Sequence, residues 1–108
     1  MGSFLKESGK APPEGILLDR IDLRNDLSEE HTVVHIVASD LPGLLYVMCN
    51  SLARSGLYIH SAKITTWQAR AENNFYVTSD TGAQIPDSEL PVWTDRLKNL
   101  LQGPIKQT

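Results

Sequence analysis

The stretch Ser39-Asp40-Leu41-Pro42-Gly43-Leu44-Leu45 constrains the fold more than any other in the chain. Thr32 to Ala38 precedes it, an apolar segment of β-formers with both faces mostly apolar, as in a central strand covered on two sides. Leu44 to Leu57 follows it and reads as a helix. The chain therefore leaves a sheet, turns tightly and enters a helix. The fixed φ of Pro42 suits a first helical turn, where the missing N–H costs nothing. Asp40 is placed to cap the free N–H groups, and Gly43, lacking a Cβ, allows another molecule to approach the backbone. Exposed donors at a helix N-terminus suit a carboxylate or other anion. A plain strand-to-helix connection is the competing reading of the same residues.

The rest of the chain is ordered around this corner. Residues 1–15 carry Gly, Ser, Lys and a Pro12-Pro13 pair and read as a flexible lead-in or linker. Ile16 to Leu23 alternates partly, with Leu18 grouped with Arg20 and Asp22 against Ile21 and Leu23, which predicts a strand with one apolar face. Asn25 to Ser28 is a turn. The helix after Pro42 places Leu45, Met48/Cys49 and Leu52 on one stripe, with Arg54 and Gly56 suited to its end. Leu57 to Trp67 returns as a strand, with Ala62, Ile64 and His60 on one face and Ile59, Ser61 and Lys63 on the other. Gln68 to Asn73 reads as a hairpin turn before the strand Phe75 to Thr78. Asp80-Thr81-Gly82 is a further turn. Asp87 or Ser88 then caps a helix with Pro91 in its first turn and Leu90, Trp93/Thr94, Leu97 and Leu101 as its stripe, stopped by Gly103-Pro104.

Two strands, a helix, two strands and a helix contain the split βαβ pattern: an α+β fold with both helices on one face of an antiparallel sheet. The strand that normally closes this pattern after the second helix has no sequence left to form it. The N-terminal strand is the candidate for the vacant edge. The expected limits are a domain over 16–102 and a tail over 103–108.

At 108 residues the chain is one domain with a modest core. A formal net charge of −3 argues against nucleic acid as a partner. No apolar run is long enough for a membrane span and no secretory pattern is visible. Cys49 is the lone cysteine, so no disulfide framework or cysteine metal cluster exists, and a buried inert thiol is expected. These features together suggest a soluble cytoplasmic module, and its size fits a piece of a larger protein.

Asp40-Leu41-Pro42-Gly43-Leu44-Leu45-Tyr46, then Leu57-Tyr58-Ile59-His60-Ser61-Ala62-Lys63-Ile64, then Asn74-Phe75-Tyr76-Val77-Thr78, resembles an ACT domain. The resemblance is strongest to the ACT domains at the C-terminal end of the bacterial protein-PII uridylyltransferase/uridylyl-removing enzyme, and it covers roughly Ile16 to Leu101. It implies a ferredoxin-like fold and a regulatory role: binding an amino acid, expected to be glutamine, between the turn of one copy and the sheet of another. The binding residues implied are Asp40, Leu41, Pro42, Gly43, Leu44, Ile59 and His60, with no catalytic residue, cofactor or metal. The partners implied are a second ACT copy or homodimer and the catalytic domain of the parent enzyme. Leu41 departs from the pattern, which carries Arg there. A lost guanidinium is a lost ligand or partner contact, so the alternative is a dimerisation or docking module without an effector.

Other constellations are weaker. His31 and His35 would stand about 13 Å apart on a strand, too far to share a metal ion. Asp87 and Glu89 are explained by capping. No G-x-S-x-G elbow occurs, and Met1-Gly2-Ser3 lacks the acidic ligands a nucleotidyltransferase needs. Phe75-Tyr76-Val77 lacks the basic, Gly-rich frame of an RNA-stacking strand. Trp67 and Trp93 read as packing residues, with a subunit interface the better reading of Trp67 if it is exposed.

Overall fold

Val34, Ile36 and Ala38 are buried on one face of a single strand and Val33 on the other, as expected of a strand interior to its sheet. A computed structural model describing residues 17–102 places it there. The elements are β1 (Leu18–Arg24), β2 (Thr32–Ser39), α1 (Leu44–Arg54), β3 (Tyr58–Trp67), β4 (Arg70–Thr78), a 3-10 turn (Asp87–Glu89) and α2 (Leu90–Gln102). Ile16, the lead-in, the tail and Gly103-Pro104 lie outside the described residues.

The sheet order is β1-β2-β4-β3, with every neighbouring pair antiparallel. β2 and β3 thus run parallel with β4 inserted between them, and α1 makes the crossover. This is the split βαβ unit of an α+β, ferredoxin-like fold. β1 fills the edge that a strand after the second helix would otherwise occupy. Both helices cover one face: Val34, Ile36, Ala38, Phe75 and Val77 of the sheet join Leu44, Met48, Leu52, Leu97 and Leu101 in one cluster.

Four local readings are corrected by the backbone. A bulge between Leu18 and Arg20 shifts the phase of β1, so Leu18 packs with Ile21 and Leu23 on the core side rather than with Arg20. A second bulge at His60 does the same in β3: Ile59, opposite Val77, shares the helix face with Ala62 and Ile64. The β3–β4 hairpin closes in two residues, Gln68 and Ala69, both at positive φ (49° and 65°), which matches the twist of the flanking strands. β4 therefore begins at Arg70, and Asn73 lies within the strand, not in a turn. At the helix starts, Asp40, Asp87 and Ser88 make no cap; α1 begins at Leu44 with Gly43 as its N-cap, and Asp87 accepts a hydrogen bond from Asn25. The buried stripe of α1 is accordingly Leu44, Met48 and Leu52, while Leu45 is exposed.

The end of α1 is closed by a Schellman motif. Leu57 N–H donates to Leu52 O at 3.2 Å and Gly56 N–H to Ala53 O at 3.0 Å. Gly56 sits at φ +99°, and a Cβ there would meet nothing within 4 Å. Gly56→Ala should therefore lower unfolding free energy by about 1 kcal/mol through backbone strain alone. Leu52→Ala, which empties a fully buried site, should cost about 2–5 kcal/mol. Urea unfolding measures both; equal effects would contradict this division.

Candidate functional site

Leu41-Pro42-Gly43-Leu44 forms a type II turn, with Gly43 at φ 81° and ψ 1° and Leu44 N–H donating to Leu41 O at 3.0 Å. Proline at the second position and glycine at the third are what this turn type requires. The first bond of the helix follows, Val47 N–H to Gly43 O at 3.0 Å. The N–H groups of Leu45 and Tyr46 precede that bond and have no intrahelical acceptor. No side chain caps them and no acidic residue lies in the first turn, so the positive end of α1 is not neutralised.

This helix end faces a pocket of about 240 Å³ lined by Asp40, Leu41, Gly43, Tyr46, Thr66 and Asn73, with Leu44, Leu45, Met48, Ile64 and Ala71 completing it. The hairpin tip braces the turn, because Asp40 N–H donates to Ala69 O at 2.8 Å. The Asp40 carboxylate is exposed and forms no ion pair among the described residues. On the floor, Asn73 is 1% exposed. Its Nδ2 lies 3.5 Å from Ile36 O, a long contact, and its Oδ1 meets no donor among the described residues.

Of the residues singled out from sequence, Asp40, Leu41, Gly43 and Leu44 line this pocket. Pro42 shapes the turn without lining it. Ile59 and His60 lie at the opposite end of β3, where Ile59 packs against the core. There His60 lines a larger, open cleft of about 700 Å³ with His31, Asn25, Gln84 and Asp87. His60 Nε2 and Thr78 Oγ1 are 2.8 Å apart, and its ring centroid is 4.9 Å from that of His31. The amides of this cleft are engaged in architecture. Gln84 Nε2 donates to the carbonyls of Asn25, Ser28 and His31, and Asn25 Nδ2 donates to Ile85 O and Asp87 Oδ1. They weld the β1–β2 loop to the segment before α2.

Asn73, Tyr46 and Thr66 were not visible as site residues in the sequence. The available signal for Asn73 was its place in an alternation, Ala71-Asn73-Phe75-Val77, whose other members are apolar. Among the described residues no group of three His, Cys, Asp or Glu side chains is arranged to hold a metal ion. His35 instead contacts Glu72 at 2.8 Å on the face of the sheet away from the helices. Trp67 is 69% exposed at the end of β3, and Trp93 is half-buried under the guanidinium of Arg96.

Comparison with known proteins places these features in context. The chain is similar to segments of proteins described as bifunctional uridylyltransferase/uridylyl-removing enzymes. It is 39% identical to that of Gluconobacter oxydans (strain 621H) over 82 residues, 76% of this chain and 8% of the relative. It is 40% identical to that of Bradyrhizobium sp. (strain ORS 278) over 65 residues, 60% of this chain and 7% of the relative. It is 42% identical to that of Aliivibrio fischeri (strain MJ11) over 60 residues, 56% of this chain and 7% of the relative. The chain thus spans less than a tenth of the length of these curated relatives. No protein-family profile matches it, and no solved structure does.

Cys49 is half-buried on α1, and burial pushes its thiol pKa up. No nucleophilic role follows, since the thiolate is the reactive form. In a disulfide-exchange assay at pH 8, Cys49 should react several-fold more slowly than free cysteine; a faster reaction would contradict the inert reading.

Proposed function

We propose that this chain is a regulatory domain of the ACT type, part of a uridylyltransferase-like enzyme of nitrogen regulation, and that it binds an amino acid, glutamine foremost, at the Leu41–Leu44 turn. The observation that carries this reading is the coincidence of a small pocket with an unneutralised helix N-terminus. The free donors of Leu45 and Tyr46 take the ligand carboxylate, and Asp40 takes its ammonium. Leu44 N–H is engaged with Leu41 O and contributes no donor. The pocket holds no nucleophile or paired acid and base, so this chain contributes sensing and the parent's catalytic domain contributes the chemistry.

A second copy completes the site. β3 is a ten-residue edge strand, exposed along almost its whole length, and its outer backbone edge is unpaired among the described residues. Such an edge is a template for pairing. Two identical edges related by a two-fold axis meet antiparallel. The Tyr58–Ser61 end of the second copy then lies along Ile64–Trp67, beside the pocket. Ile59 and His60 of the second copy approach the ligand although they are remote from it within one chain. Binding and association become linked, and the ligand shifts the association equilibrium by its differential affinity for the two states.

A docking module without effector is the second reading. Leu41, where the resembled pattern carries Arg, is 38% exposed beside Leu45 at 47% and Tyr46 at 72%, an apolar rim suited to a protein partner. Light scattering separates the two. The sensing reading predicts a mass that rises toward a dimer when millimolar glutamine is added. A dimer indifferent to every amino acid would favour docking, and a strict monomer under all conditions would contradict the two-copy site and leave docking only on the parent's catalytic domain.

A further inference from the structure

Asn73 occupies a place where a polar side chain has a cost. It faces the helices from an interior strand, between Ala71 and Phe75, and its Oδ1 is a buried acceptor with no donor among the described residues. A buried unsatisfied acceptor carries its full desolvation penalty, and an apolar residue of the same shape would avoid it. The orientation of the amide follows from its neighbour: Ile36 O lies on the Nδ2 side, and the reversed amide would set two acceptors against each other. The uncompensated atom is therefore an oxygen that needs an N–H or O–H donor.

The pocket thus has two ends of opposite chemistry. At the mouth, the N-terminus of α1 supplies donors and a positive dipole. At the floor, the pocket is lined by Asn73, whose one unpartnered atom is the buried acceptor Oδ1. We propose that Asn73 is the specificity-determining residue of this pocket and that it selects α-amino acids bearing a terminal carboxamide over those bearing a terminal carboxylate. A carboxamide presents N–H to Oδ1. A carboxylate presents a third acceptor to a buried acceptor and leaves both unsatisfied. This inference rests on the proposed amino-acid site and adds the residue that reads the side chain.

Calorimetric titration of the 108-residue chain with glutamine and with glutamate tests it, in the wild type, Asn73→Leu and Asn73→Asp. The wild type should bind glutamine at least about ten-fold more tightly than glutamate, the equivalent of one hydrogen bond. Asn73→Leu should raise the unfolding temperature and bring the ratio to near one. Asn73→Asp, which keeps an acceptor at the floor, should keep or widen the preference, so the test survives if the Leu variant does not fold. Wild-type binding with a ratio unchanged in Asn73→Leu, or lost in Asn73→Asp, would overturn the role of Asn73 and leave the amino-acid site standing. Binding of neither amino acid to the wild type would overturn the site and this inference together.

Discussion

Everything at the functional end of the molecule depends on one backbone requirement, that Gly43 hold φ near +81°. That angle makes Leu41–Leu44 a type II turn, which reverses the chain within four residues of leaving β2. A side chain at residue 43 would crowd its own carbonyl at a cost of about 1–2 kcal/mol, and Pro42 removes the competing conformations before it. The turn also sets the phase of α1. Leu44, not Leu45, becomes the first residue to reach the core, and Met48 and Leu52 follow at intervals of four. The same phase turns Leu45 and Tyr46 outward, with their N–H groups free at the mouth of the pocket. One dihedral angle thus decides the buried stripe, the exposed rim and the donors.

The two edges of the sheet are treated differently. β1 closes one edge and carries α2, whose Leu97 and Leu101 are fully buried. β3 leaves the other edge open, and its side chains are exposed at nearly every position. β1, which precedes the split βαβ unit in the chain, takes the edge beside β2, so the open edge among the described residues is that of β3. It is the edge next to the pocket. The proposed dependence on a second copy uses this geometry, because the same strand lines the pocket and offers a free backbone edge. The histidine cleft at the opposite end differs in kind: its amides already hold two loops together.

The larger features were legible in the sequence because each has a single physical cause. The apolar run of Thr32–Ala38 marks a strand with neighbours on both edges, although the helices cover only one of its faces and leave His35 and Val37 half-buried on the other, and Gly56 after Arg54 is what a Schellman end requires. What stayed hidden were shifts of phase. The bulges at Asp19 and His60 move one residue out of register without any glycine to announce them. The Gln68-Ala69 turn takes a left-handed conformation that its composition disfavours, so the polar run through Asn73 resembled a loop. That resemblance concealed Asn73, the residue proposed to read the ligand's side chain. Backbone pairing between β4 and its two neighbours overrides the local preference of Arg70–Asn74, and local preference is all that a single sequence displays there.

Asn73 and Gly43 express one principle from two sides. Each departs from what stability alone would choose, one by leaving a buried acceptor unsatisfied and the other by adopting a conformation only glycine reaches easily. Both departures fall within a pocket of about 240 Å³. Mapping backbone amide resonances during a glutamine titration tests the central claim most directly. The account predicts that the resonances of residues 40–46 and 71–73 move together at low ligand, and those along β3 with them. Shifts confined to His31, His60 and the Gln84 segment, with the turn unmoved, would contradict it.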